Sequence, residues 1–180
     1  MAHPASTLYR FRVDLSDIDR GIYQALNIRV AMHPSESPAY LVTRVLAYVL
    51  NAQDGLDFSA AGLSEPDEPC IRLLDADGSI KLWIEVGNPS SKKLHKASKA
   101  SPSVKIYTYK NPDLLIEEIH AARVYQPERI EIFSFSNHLI ESICEVFLRA
   151  NDWNVIHNEG SLMVSSGTSS FEGEVMRHSL

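Results

Sequence analysis

The chain has 180 residues, of which 44% are hydrophobic and 22% charged, and its formal net charge is −6. These values are typical of a soluble globular protein, and we expect a single domain over residues 1–180. The acidic balance argues against broad, non-specific nucleic-acid binding, which usually leaves a basic surplus. No apolar window approaches the length of a membrane span, and the first residues lack the order of a signal peptide.

Strands and one helix are predicted for the N-terminal part. Tyr, Phe and Val alternate with arginine over residues 8–13, and a second strand is expected over 22–31. A helix capped by Ser35 or Ser37 is predicted to run to about residue 52, because apolar residues recur there at helical spacing. A short strand at 55–58 and a polar loop over 62–69 follow.

Helices and strands alternate through the remaining chain. Helices are predicted over 90–100, from a cap at Asn111, and over 136–150. Strands are predicted over 104–109, 129–135, 153–157, 161–165 and 171–176. The fold class is therefore mixed α/β (α+β), a mixed central sheet flanked by helices and extended by β-strands at both termini.

The most informative segment is a predicted antiparallel hairpin over residues 70–86. Its arms, 70–74 and 80–86, are joined by a turn that ends in Asp77-Gly78, a sequence that favours a tight reversal. Folding this hairpin brings Asp67 and Glu68 toward Glu85, and two acids at one end of a sheet are the minimum for holding a divalent cation. The alternative is that Glu85 is an ordinary half-exposed strand residue.

Charge is unevenly distributed on either side of this hairpin. Residues 54–68 contain five acids and no base, whereas four of the seven lysines of the chain lie between residues 92 and 99. The lysines could direct a phosphate toward the acids, or they could form the solvated face of a surface helix beside an acidic loop.

The two cysteines lack any metal-binding spacing. Cys70 and Cys144 each have apolar neighbours, so we expect two buried, reduced thiols and a cytoplasmic protein. The remaining candidate acid, Glu36, is predicted in the first turn of the helix that Ser35 or Ser37 caps. An acid is favoured there by the helix dipole alone, and it could also lie near a metal.

Several motifs together resemble the YaeQ family of bacterial proteins. They are HPSE before a helix, EP before the hairpin, LWIEVG at its end, the KKLHKA helix and the IYTY strand. The resemblance extends over about residues 9–164. The YaeQ family is similar in fold to the PD-(D/E)XK nucleases, so the resemblance implies a restriction-endonuclease-like sheet.

The resemblance also implies a set of site residues. Candidate catalytic residues are Glu36, Glu68, Glu85, Lys93 and Lys96. Candidate metal ligands are Glu68, or its neighbour Asp67 in its place, and Glu85. Candidate phosphate-binding residues are Lys92, Lys93, Lys96 and Lys99. Mg²⁺ is the implied cofactor. The chain departs from the nuclease pattern at Gly87, where the acid-x-lysine triplet would have its lysine.

The missing lysine and the acidic net charge favour a degenerate, non-catalytic member that binds nucleic acid or a protein. The alternative is a Mg²⁺-dependent nuclease or phosphodiesterase in which Lys92, Lys93 or Lys96 replaces the missing lysine. No membrane partner is expected.

Overall fold

Residues 5–59 and 67–180 are described by the computed structural model. Their dominant feature is one mixed sheet of ten strands in the order β2-β1-β8-β9-β10-β7-β6-β5-β4-β3. The strands are β1 Thr7–Asp17, β2 Ile22–Met32, β3 Leu56–Phe58, β4 Ile71–Leu74, β5 Ile80–Val86, β6 Val104–Thr108, β7 Ile130–Phe135, β8 Ala150–Asn158, β9 Ser161–Ser166 and β10 Ser169–His178. Three neighbouring pairs are parallel (β1 with β8, β5 with β6, β6 with β7) and the others are antiparallel.

Four helices of the described ranges pack against this sheet: α1 Pro38–Leu50, α2 Ser91–Ala100, α3 Pro112–Ala121 and α4 Asn137–Val146. Ser37 caps α1 and Asn111 caps α3, and each accepts a hydrogen bond from a backbone N–H of the first turn. No helix in the described part of the chain is long and apolar enough to cross a membrane.

Two apolar clusters lie on opposite sides of the sheet. The larger cluster surrounds α1 and includes inward side chains of β1, β2, β8 and β9, so the sheet curls around this helix. The smaller one lies between β5, β6, β7 and the helices α2 and α3. Alternate side chains of β5 therefore enter different cores, because successive residues of a strand point to opposite faces.

The predicted elements are present, but one helix is shorter than predicted and one cysteine is less buried. The helix predicted over 136–150 ends at Val146, because Asn151 accepts from Leu148 N at 2.8 Å and donates to its carbonyl at 2.6 Å, turning the chain into β8. Both cysteines are free, but Cys144 is only half-buried. Part of the predicted polar loop, residues 62–66, lies outside the described residues.

Candidate functional site at Glu85

Glu85 is placed in the interior by the central position of β5. This strand pairs with β4 on one side and β6 on the other. The pairing of Ile71 with Ile84 brings Cys70, just before β4, beside Glu85. Trp83 shares the face of Glu85 because it lies two residues earlier. The side chain of Glu85 is almost fully buried, so the alternative of a half-exposed strand residue is wrong.

Three donors surround the Glu85 carboxylate. The indole Nε1 of Trp83 donates to Oε1 at 2.6 Å. The Lys93 ammonium lies 2.9 Å from Oε2, and the Cys70 thiol donates to the same oxygen at 3.3 Å. Burial raises the pKa of Glu85, while Lys93 and the donors Trp83 and Cys70 act in the opposite direction. The charge of this acid is thus matched by a lysine and two fixed donors.

A hydroxyl extends this polar cluster toward α1. The Tyr40 hydroxyl lies 2.9 Å from the Cys70 Sγ. Burial and the adjacent Glu85 raise the pKa of Cys70 to about 12, so the thiol is protonated and can donate to Glu85. The Tyr40 O–H therefore donates to sulfur. We refer to Tyr40, Cys70, Trp83, Glu85 and Lys93 as the Glu85 cluster.

Lys93 reaches Glu85 because α2 is anchored to the sheet. The Ser90 side chain accepts from Lys93 N at 3.3 Å and starts the helix. Leu94 and Ala97 are fully buried and fix its inner face. These contacts place the Lys93 side chain, 18% exposed, over the end of β5.

The hairpin acids Asp67 and Glu68 form their contacts outside the Glu85 cluster. Asp67 lies 3.5 Å from the Lys96 ammonium in an exposed ion pair. Glu68 accepts from Ser59 Oγ at 2.8 Å and lies 3.9 Å from the Arg72 guanidinium. The hairpin thus brings Asp67, but not Glu68, into contact with α2, where Glu85 and Asp67 each pair with a lysine.

Glu36 is placed differently from the prediction. It precedes the cap of α1 rather than lying in its first turn, because His33 to Glu36 form a separate turn closed by the Glu36 N–H. Its buried carboxylate accepts from Arg44 Nη2 at 3.0 Å, and that nitrogen also donates to the Ala31 carbonyl at 2.6 Å. Burial raises the pKa of Glu36 and Arg44 opposes this. Glu36 therefore forms a buried ion pair with α1.

Backbone geometry explains the glycine where the nuclease triplet has lysine. Gly87 has φ +76°, and its N–H donates to the Tyr107 carbonyl at 2.9 Å. A side chain at this position would be strained, although a Cβ would meet only ordinary contacts with the Tyr40 ring at 3.9 Å. Lys93 of the next helix supplies an ammonium group to Glu85 instead.

The remaining α2 lysines lie on an exposed surface. Lys92, His95, Lys96 and Lys99, with Asp67, line an open cavity of about 430 Å³. The His95 Nδ1 accepts from the backbone N–H of Tyr125 at 3.1 Å, which orients the ring. We call Lys92, His95, Lys96 and Lys99 the α2 basic surface. Of the four predicted phosphate-binding lysines, Lys93 is therefore the one that is directed inward.

The candidate metal ligands are dispersed over separate contacts. Within residues 5–59 and 67–180, no three His, Cys, Asp or Glu side chains lie close enough together to hold a metal ion. Both oxygens of Glu85 accept hydrogen bonds, and the Lys93 ammonium lies beside Oε2.

Reasoning from the sequence missed four contacts: those of Tyr40, Cys70 and Trp83 within the Glu85 cluster and that of Arg44 with Glu36. Tyr40 and Arg44 lie in the predicted first helix, and Trp83 lies in the predicted hairpin. A spacing signal existed for Trp83, which shares the face of Glu85. Tyr40 and Arg44 are distant in sequence from the hairpin, and only the packing of α1 brings Tyr40 to Cys70.

The fold and this cluster define a mixed α+β protein in which a buried strand glutamate is paired with a helix lysine. The chain belongs to the YaeQ family, because the family model described as YaeQ protein matches residues 1–175.

Two bacterial relatives agree with this assignment. The chain is 26% identical over 168 residues to "Uncharacterized protein YaeQ" of Salmonella typhi, covering 93% of this chain and 92% of that protein. It is 34% identical over 104 residues to the protein of the same name in Escherichia coli K12, covering 58% and 57%.

Two crystal structures share the fold over nearly the whole chain. The YaeQ protein from Xanthomonas axonopodis pv. citri has a TM-score of 0.88 at 27% identity, with 96% of this chain and 97% of that chain covered. The YaeQ protein from Pseudomonas syringae has a TM-score of 0.88 at 27% identity, with 97% and 96% covered.

Proposed function

We propose that this protein is a non-catalytic, cytoplasmic member of the PD-(D/E)XK nuclease-like group that binds nucleic acid through the α2 basic surface. The observation that supports this most directly is the ion pair of Lys93 with Glu85 at 2.9 Å. In this pair a helix lysine, rather than a metal ion, neutralises the strand acid. The order helix, hairpin, helix, strand resembles the nuclease arrangement, but a fold resemblance does not by itself confer chemistry.

The exposed lysines suit a phosphate backbone. Lys92, Lys96 and Lys99 lie on one helix over an open cavity, and the Lys99 ammonium lies 5.6 Å from the centre of the Tyr125 ring. Lysines that neutralise phosphates release counterions, which supports affinity without base-specific contacts. The exposed aromatic ring of Tyr125 is placed where a base could stack. Binding to a protein partner stays a prediction.

Fluorescence anisotropy with a labelled single-stranded oligonucleotide in EDTA tests this proposal. The variant K92Q/K96Q/K99Q is expected to weaken binding and to reduce the slope of log K against log salt by about 2, since each single-strand phosphate contact contributes about 0.7. The matched control is Lys81→Gln, which removes one exposed charge elsewhere. Wild-type affinity in the triple variant would reject the α2 basic surface as the binding site.

A second candidate is a Mg²⁺-dependent nuclease or phosphodiesterase. One observation favours it: Lys93 stands beside Glu85, as the lysine of an acid-x-lysine triplet would. The test is product formation from a labelled oligonucleotide with Mg²⁺, using wild type, Glu85→Ala and Lys93→Met. Cleavage by wild type that both variants lose would support a nuclease, whereas cleavage that persists in Glu85→Ala would come from another source.

A further inference from the structure

A second basic region lies on the outer face of the sheet, formed by β1, β2 and β8. Side chains that alternate with the core residues point outward here, among them Arg10 and Arg12 of β1 and Arg29 of β2, all exposed. The helices α2 and α3 cover this side of the sheet only at β5 to β7. We call Arg10, Arg12 and Arg29 the arginine face. It lies at the other end of the strand order from the α2 basic surface.

The register places like charges directly opposite each other. Arg10 pairs with Arg29 across the antiparallel β1–β2 ladder. Like charges at directly opposed positions destabilise a sheet. Among the described residues neither arginine forms an ion pair, whereas Arg12 lies 3.8 Å from Asp152 in a fully exposed pair. Within residues 5–59 and 67–180, Arg10 and Arg29 therefore occupy opposed positions on neighbouring strands without a carboxylate partner.

These residues line a common cavity. Arg10, Arg12, Asn27, Arg29 and Asp152 contribute to a cavity of about 340 Å³ on the outer face. Arg10 and Arg12 are about 7 Å apart along the strand, given a rise of about 3.4 Å per residue. The cavity thus contains three arginines and one carboxylate, and Arg12 is the arginine that lies next to that carboxylate.

We propose that a phosphate group binds between Arg10 and Arg29, with Asn27 and Arg12 at its margin. A guanidinium group donates two parallel hydrogen bonds to a phosphate. The non-bridging oxygens of a phosphate offer several lone pairs, so one phosphate can accept hydrogen bonds from two guanidinium groups at once. The bound anion also removes the repulsion between the opposed arginines. The phosphate comes either from a nucleic-acid strand or from a free phosphate compound.

Calorimetry with pyrophosphate and anisotropy with a labelled oligonucleotide distinguish these sources. Arg10→Gln and Arg29→Gln should each lower the affinity for whichever probe binds by about tenfold. This is the effect of losing one charge-assisted hydrogen bond. Lys81→Gln is the matched control and should bind like wild type. Loss of pyrophosphate binding alone assigns the site to a free phosphate compound, and loss of oligonucleotide binding assigns it to a strand.

The proposal is overturned if the double variant R10Q/R29Q binds both probes as wild type does, or if wild type binds neither. A melting temperature shows whether the arginines are structural. Both side chains are exposed and repel each other, so Arg10→Gln should melt at or above the wild-type temperature. A fall of several degrees would make Arg10 a structural residue and reject the proposal. The lysine triple variant reports on the α2 basic surface alone, so either proposal can fail without the other.

Discussion

At the residue scale, the main feature is a carboxylate whose charge is matched inside the protein. Glu85 is buried and accepts hydrogen bonds from Trp83, Lys93 and Cys70. Removing one partner of a buried ion pair is far more destabilising than exchanging both, because it leaves an uncompensated charge. Lys93 is therefore expected to contribute to stability as well as to set the chemistry of Glu85.

Lys93→Met should lower the free energy of unfolding by about 2–4 kcal/mol, as expected when a buried carboxylate loses its cation. Urea denaturation followed by circular dichroism measures this. Lys92→Met, one residue earlier and exposed, should change stability by less than about 0.5 kcal/mol. Equal stability of the two variants would show that the pair with Glu85 contributes nothing.

The same substitution should have a pH-dependent effect. The pKa of Glu85 is raised above its ordinary value of 4.5 in the folded protein. Stability from this group is thus complete below pH 4.5 and is lost as pH rises through the folded pKa. Without Lys93 the folded pKa rises further, so the destabilisation by Lys93→Met should be small near pH 4 and largest at neutral pH. A pH-independent difference in urea midpoints would contradict this.

At the scale of single elements, strand ends and helix starts decide where the candidate acids lie. Apolar periodicity predicted α1 well, but the choice between Ser35 and Ser37 as its cap determined the place of Glu36. Ser37 caps the helix, so Glu36 falls outside it and pairs with Arg44. Periodicity locates an element, whereas the contacts of its terminal residues depend on packing that a single sequence does not contain.

Gly87, directly after β5, provides a prediction about the position at which the nuclease triplet has its lysine. Gly87 has a left-handed φ of +76°, so Gly87→Ala should destabilise the protein by about 1–2 kcal/mol through backbone strain alone. Gly87→Lys should cost at least as much, although it restores the lysine of the nuclease pattern. Chemical denaturation of both variants measures this. A Gly87→Ala protein as stable as wild type would show that φ does not constrain this position.

At the scale of the whole molecule, one polar cluster connects β1 and β8 to the end of α1. Asp17, at the end of β1, accepts from Arg20 Nε at 2.6 Å and lies 3.1 Å from His157 of β8. The Arg20 guanidinium also reaches the Val49 and Ala52 carbonyls at the end of α1, at 3.4 Å each. A strand of each terminal region is thereby fixed to the helix that the sheet surrounds.

Asp17→Asn should lower the free energy of unfolding by about 2 kcal/mol, since hydrogen bonds to a buried charge are lost. Burial raises the pKa of Asp17, but Arg20 and His157 outweigh it and the pKa is lowered overall. This contribution is present above the ordinary value of 3.8 and is lost as pH falls through the folded pKa. The difference in melting temperature between wild type and variant should therefore be smaller at pH 3 than at pH 7. A difference in melting temperature that is the same at both pH values would assign the effect of Asp17→Asn to packing.

Much of the architecture was predictable, because strand alternation, helical periodicity and turn residues are local signals. The hairpin turn at Asp77-Gly78 and the caps at Ser90 and Asn111 are examples. The single ten-stranded sheet was not predictable, since it depends on the parallel pairing of β1 with β8 across more than 130 residues. The proximity of Lys93 to Glu85 was open, with three lysines as candidates, because it depends on how α2 packs against β5.

The central claim is that Lys93, rather than a metal ion, neutralises Glu85, and a Mg²⁺ titration tests it most directly. Melting temperatures of wild type and Glu85→Gln are measured in MgCl₂ and in NaCl of matched ionic strength. We predict that MgCl₂ gives wild type no increase beyond that in NaCl, because the Lys93 ammonium occupies the cation position. A Mg²⁺-specific increase in wild type that Glu85→Gln abolishes would contradict the claim and make Glu85 a metal ligand.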